Sequence, residues 1–363
     1  MSKSLTADQL VAKNVSAGVY QVLYPCYCCA GDGSGVIVTG GGGGSKSYGV
    51  SNMLQLHVVS DSCSKLTTIS TLDMGEQITR SINYSDAHRL WTATMDHMVL
   101  VFDIDEVGLF SLRPIVKFSA ELRTKGNCKF AKIATYKNQR LILTGGDESE
   151  VRVWNFPPGD PPTVLLSALH GSGKDNDIVD GSWDIDGSRY LSASRNGLTK
   201  IWETASGTCL SAISAPKPDM FLRIATFTES SQVICGYYSA PKGPSFLQRF
   251  GFKGEIVGKM VQLKSKSVIS CLHASGDKAA VAFNTGNLEL WDLRSMRQIK
   301  LCKGSPHELA ASGAVLVPNG VVSVSVDFTV RLWTQSRTLS VPYIFVLLVA
   351  AALLTLVTLP LIR

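Results

Sequence analysis

The feature that most constrains this chain is a pattern that returns seven times. Each copy is a strand-like run, a turn and a second run ending in an aromatic residue or its stand-in: GVIVTGG to MLQLHV, RLWTATMDHMVLVFD, RLILTGGDESEVRVWN, RYLSASRNGLTKIWE, QVICGYYSAPKGPSFLQRFG, AAVAFNTGNLELWD and VVSVSVDFTVRLWT. Aligning the final position brings His57, Phe102, Trp154, Trp202, Phe250, Trp291 and Trp333 into register, with separations of 45, 52, 48, 48, 41 and 42 residues. A period in the forties, with period-two alternation and β-branched residues, is what four-stranded propeller blades produce, because each blade buries its faces only against its neighbours. Asp96, Asn196 and Asp327 stand six residues before their aromatic, where a short polar side chain can bond its own backbone in a tight turn; Asp147 stands seven before Trp154.

At these positions the chain resembles the WD-repeat family, although Trp291-Asp292 alone is the literal dipeptide. The predicted fold class is all-β, a seven-bladed WD-repeat β-propeller over residues 1–335 followed by a single C-terminal transmembrane helix. The recurring tryptophans are expected to fill layers between sheets rather than a ligand site. The seventh repeat stops at Trp333, so its outer strand must come from elsewhere, and the apolar run Val15 to Leu23 is the spare one. A ring left open would expose long unpaired edges.

The far end of the chain is different in kind. Val341 to Ile362 runs 22 residues without a charge, which at the helical rise spans about 33 Å, enough to cross a bilayer's hydrocarbon core. Residues 336–340 form a short juxtamembrane linker. Arg331 and Arg337 precede the span, and Met1 to Asn14 contains no apolar stretch of signal-peptide length. The expectation is a cytoplasmic propeller held by a C-terminal tail anchor.

Composition narrows the function classes. In 363 residues, 45% hydrophobic and 18% charged residues exclude a disordered chain. The net charge of +6, from 35 basic and 29 acidic residues, is too thin to argue for a nucleic-acid partner. Nine cysteines show no metal-ligand spacing, and they read as reduced core residues, the run Cys26, Cys28 and Cys29 alternating like a strand. The six histidines, at positions 57, 88, 97, 170, 273 and 307, are scattered over the repeats, none in a motif with a nucleophile, so no enzyme chemistry is expected.

The run Gly40 to Gly44, then Ser45-Lys46-Ser47, invites a phosphate-loop reading. It fails because a Walker sequence needs Gly directly before the Lys and a helix after it, whereas Ser45 precedes Lys46 and the strand MLQLHVV follows; no nucleotide is expected on this chain. Two to five residues would suffice to join the flanking strands. The excess is either a flexible surface insertion or a compact loop whose backbone shape only Gly reaches cheaply, and carbonyls freed in such a loop can hold a hard monovalent cation. The residues alone leave both accounts open.

Three segments carry a closer resemblance. Tyr24-Pro25-Cys26-Tyr27, the glycines Gly40 to Gly44, and Gly49-Val50-Ser51-Asn52 match in order and spacing the opening of the Sec-twelve family, and the propeller with one C-terminal span matches its architecture. The resemblance implies a single-pass protein of the endoplasmic reticulum membrane, acting as guanine-nucleotide exchange factor for the Sar-type small GTPase that starts COPII coat assembly in ER-to-Golgi transport. The expected partners are that GTPase, the membrane and, indirectly, the COPII machinery. The expected exchange loop comprises Gly40, Gly41, Gly42, Gly43, Gly44 and Gly49 for backbone shape, Asn52 to fix the loop or touch the partner, and Lys46 and Tyr48 as direct contacts. The resemblance also implies a potassium ion held by Gly40, Gly41, Gly42, Gly43 and Asn52. The competing reading is a non-catalytic, tail-anchored scaffold, since propellers host many unrelated functions.

Overall fold

In each repeat, alternation of apolar and polar residues gives strands, and the Gly, Asn and Asp clusters between them give hairpins. The computed structural model describes residues 13–335, except 17, 46–48, 106–110, 121–125, 172–175, 240, 242 and 304–305. The described residues are all-β and contain no helix; they form seven antiparallel sheets, each of the first six having four strands taken in chain order. The first blade is Cys26–Gly31, Val36–Gly41, Met53–Val59 and Leu66–Asp73, from the inside of the ring outward. The linker 336–340 and the span 341–362 lie outside the described residues, within which no helix is long and apolar enough to cross a membrane.

The seventh blade is closed by the N-terminal part of the chain. Val19–Gln21 pairs antiparallel with Thr329–Gln335, in the register Val19 to Arg331 and Gln21 to Thr329. The run expected to form one strand is in fact two, Lys13–Ser16 and Val19–Gln21, folded on each other at Gly18, whose φ of +76° suits a residue without a side chain. Tyr20 and Val22 are buried with Val330 and Leu332, and the Leu66 amide donates to the Tyr20 hydroxyl at 3.0 Å, fastening the closing strand to the first blade.

The aligned aromatic positions all fall on third strands, facing the second strand in one register: His57 opposite Ile37, Phe102 opposite Trp91, Trp154 opposite Ile142, Trp202 opposite Tyr190, Phe250 opposite Val233, Trp291 opposite Ala279 and Trp333 opposite Val321. All seven are buried, in apolar layers between neighbouring blades rather than around one centre. The tryptophans are tied down by their indole N–H groups, which donate to Thr144, Ser192, Glu289 and Ser323 at 2.7–2.9 Å. Ser192 and Ser323 are in turn bonded to buried His170 and His307. In the first blade His57 replaces the indole, bonded to Thr39 at 2.9 Å, and Thr39 meets the Tyr24 hydroxyl at 2.7 Å. Burial holds the His57 imidazole down at about 3 and that of His170 at about 4, so both are neutral structural groups.

Two of the four turn residues behave as expected, Asn196 and Asp327 accepting the amides of Leu198 and Thr329 at 3.0 Å, whereas Asp96 accepts from Arg80 Nε and Asp147 from the Asn127 amide. The cysteines depart in one respect. Cys26, Cys28, Cys63, Cys128 and Cys235 are buried free thiols, their pKa values pushed up by burial, whereas Cys209 is exposed on an outer strand.

Candidate functional site

The glycine run crosses the end of a strand before it becomes a loop. Gly40 and Gly41 are the last residues of Val36–Gly41 and are buried, which corrects their assignment to an exposed loop. They are small because the sheet is crowded there. A Cβ on Gly40 would lie 2.8 Å from the Thr79 side chain, and one on Gly41 only 2.0 Å from the Pro25 carbonyl oxygen. The same device recurs in the third blade, where Thr144-Gly145-Gly146 ends its second strand and a Cβ on Gly146 would lie 2.0 Å from the Asn127 oxygen. Gly40 and Gly41 therefore belong to the fold of the blade.

The loop proper runs from Gly42 to Asn52. The Gly42 amide donates to the Pro25 carbonyl at 3.1 Å, seating the loop on the Tyr24-Pro25-Cys26-Tyr27 segment. A Cβ on Gly42 would fall 2.1 Å from Asn52 Oδ1, and one on Gly43 would fall 2.6 Å from the Val50 Cβ, so the two limbs of the loop pack against each other. Gly44 turns the chain with φ +90°. Ser45, Gly49 and Ser51 are exposed at the far side. Lys46 and Tyr48, expected as direct contacts, lie outside the described residues.

Asn52 is the centre of this arrangement and is only 1% exposed. Its Oδ1 accepts the Gly44 amide at 2.9 Å, while its Nδ2 donates to the Gly44 carbonyl at 2.7 Å and to the Gly75 carbonyl at 2.8 Å. Its own carbonyl accepts the Met74 amide at 2.9 Å. Of the two roles expected for Asn52, the structure supports fixing the loop, since a residue so buried presents no surface to a partner. The lock joins the loop to the connection between the first and second blades, where Ile78 also packs beside Gly44. Sequence reasoning did not single out Met74, Gly75 or Ile78; a contact 23 residues along the chain leaves no local signal.

A cation here would depend on neutral oxygens, a donor set suited to a monovalent ion rather than to Mg²⁺ or Ca²⁺. Gly40 and Gly41 are engaged in the strand ladder, opposite Leu54 and Met53, and the Gly44 carbonyl accepts from Asn52. Of the residues expected to hold potassium, Gly42, Gly43 and the second lone pair of Asn52 Oδ1 are those that fit. Among the described residues no group of three or more His, Cys, Asp or Glu side chains is placed to hold a metal ion.

The loop and the C-terminal end of the last described strand lie on opposite faces of the ring. Met53–Val59 runs away from the loop toward Asp61, whose carbonyl accepts from Asn319 Nδ2 at 2.9 Å, and the Asn319 carbonyl accepts the Gln335 amide at 3.0 Å.

The sequence matches no protein-family model and no curated protein. Among solved structures, the chain is similar to one described as the outer coat vertex of COPII on membranes, with a TM-score of 0.69 and 14% identity over 88% of this chain and 86% of that one. It is similar also to a chain of the COPII coat assembled on membranes, with a TM-score of 0.69 and 14% identity over 88% of this chain and 48% of that one. At this identity the likeness shows the fold, a seven-bladed propeller of the kind found in these coat structures.

Proposed function

We propose that this chain is a guanine-nucleotide exchange factor for a Sar-type small GTPase at the endoplasmic reticulum membrane, acting where COPII coat assembly begins. The observation that carries the reading is the lock on the described limbs of the glycine loop, where Asn52 holds Gly44 and Gly75 by buried hydrogen bonds before any partner arrives. Exchange needs no bond to be made. A factor accelerates nucleotide release by binding the empty GTPase better than the loaded one, which favours displacement of the elements holding phosphate and magnesium. A rigid loop suits this because it is not reordered at each encounter, so less of the interaction is lost to ordering. When bound, a potassium ion would stiffen the loop, with Gly42, Gly43 and Asn52 as its holders.

The propeller likeness to COPII coat structures supports a place in that machinery through fold alone. In the proposed topology the span 341–362 anchors the chain, with the propeller in the cytosol. Because Gln335 leaves the face opposite the loop, the loop face is turned away from the exit of the anchor, and a membrane-bound GTPase would reach it across the blade edge. The competing scaffold reading predicts the same membrane attachment without exchange. Release of labelled GDP from a Sar-type GTPase, with and without the purified chain, separates them: acceleration supports the exchange factor, and binding without acceleration supports the scaffold.

A further inference from the structure

The exposed residues described on the loop, Ser45, Gly49 and Ser51, are small and uncharged. They give shape but little apolar area, and protein interfaces draw most of their affinity from a few well-packed anchors. Beside the loop lies a surface that offers one. The second blade's outer strand, Ser111–Ser119, is bulged between Pro114 and Val116, the step at which Ile115 drops out of register with Met98–Asp105. A bulge re-aims a side chain, and Ile115 is 46% exposed. It borders a cleft of about 300 Å³ lined by Leu72, Met74, Leu100, Val116 and Lys117. The rim is polar, with Lys117 Nζ donating to Gln77 Oε1. Cleft and loop are joined, because Met74, which lines the cleft, donates its amide to the Asn52 carbonyl, and the next residue, Gly75, accepts from Asn52 Nδ2.

We propose that this cleft is the second half of the GTPase footprint and receives an apolar side chain of the GTPase while the glycine loop engages its nucleotide-holding elements. The inference rests on the proposed exchange function. The occupant is the same partner because no gap separates cleft from loop: one connection, Met74 to Arg80, borders both. The loop supplies the displacement and the cleft supplies the grip, as in interfaces where an apolar anchor sits beside a polar working surface.

The test measures binding of nucleotide-free Sar-type GTPase to the full chain in detergent, for wild type, Ile115→Glu, Ile115→Leu and Gly43→Val, alongside the exchange rate and melting temperature of each. Ile115→Glu is expected to weaken binding about tenfold or more at an unchanged melting temperature, with Ile115→Leu close to wild type. Wild-type affinity in a folded Ile115→Glu chain, with exchange lost in Gly43→Val, would overturn the cleft and leave the exchange reading standing. A wild-type chain that binds the GTPase without exchange would overturn that reading, and the affinity ratio would still decide the cleft. Failure of the wild-type chain to bind the GTPase at all would overturn both.

Discussion

Replacing Asn52 by Ala isolates the lock from the propeller that carries it. The substitution strands three backbone groups, the Gly44 amide and carbonyl and the Gly75 carbonyl, which the carboxamide meets at 2.7–2.9 Å. Gly44 and Gly75 are half-buried, so the low end of the cost of an unpaired polar group applies, roughly 1 kcal/mol each and about 3 kcal/mol together. That cost falls on local opening of the loop, because the apolar layers between blades are untouched. Hydrogen exchange at the Gly44 amide should speed up about a hundredfold, while the melting temperature moves by a few degrees at most. Asn52→Asp keeps the acceptor for the Gly44 amide but turns a carboxylate toward two carbonyl oxygens, so it should not rescue. Nucleotide exchange should fall with both variants. Unchanged protection at Gly44 in Asn52→Ala would refute the lock, and full exchange activity in a chain with a loosened loop would refute its role in function.

Four further outcomes follow from the same structure. Deleting residues 1–23 removes the strand that pairs with Thr329–Gln335 and the buried Tyr20 and Val22, and should make the chain aggregate or melt early; an unchanged melting temperature would contradict closure by Val19–Gln21. His57 and His170 are held neutral, with native pKa values of about 3 and 4, below the unfolded value of about 6.5; their contribution is complete above that value and is lost as pH falls toward the native values. Urea midpoints at pH 5 should therefore correspond to about 2 kcal/mol less stability per histidine than at pH 7.5, and equal midpoints would contradict the assignment. Exchange should be faster in potassium than in lithium at equal ionic strength if a cation stiffens the loop, and equal rates would remove it. In sealed microsomes added protease should digest the propeller, whereas protection would overturn the cytoplasmic topology.

The repeat was legible because each blade solves the same packing problem at the same position. The buried third-strand site takes a large ring, which in Trp154, Trp202 and Trp333 also donates to a neighbouring hydroxyl, and His57 serves with Thr39 in the first blade, while Phe102 and Phe250 fill it by packing alone. The need for a closing strand was legible by elimination, but its division at Gly18 was not, since one positive φ angle within an apolar run leaves no periodic trace. The glycine run was misdivided for a physical reason. Gly40 and Gly41 look like loop residues by type, yet they are small because Thr79 and Pro25 approach them across the sheet. Comparison with Thr144-Gly145-Gly146 in the third repeat carries that signal. The buried role of Asn52 arises from a contact with the connection to the next blade, and the outward turn of Ile115 from a bulge in its own blade's edge pairing, neither of which a local pattern encodes.

The central claim is tested most directly by the release of labelled GDP from a Sar-type GTPase on liposomes carrying the full chain, in wild-type and Asn52→Ala forms. The account expects wild type to accelerate release well above the intrinsic rate and Asn52→Ala, still folded, to lose most of that acceleration. Release at the intrinsic rate with the wild-type chain, while it still binds the GTPase, would contradict the account and leave a membrane scaffold in its place.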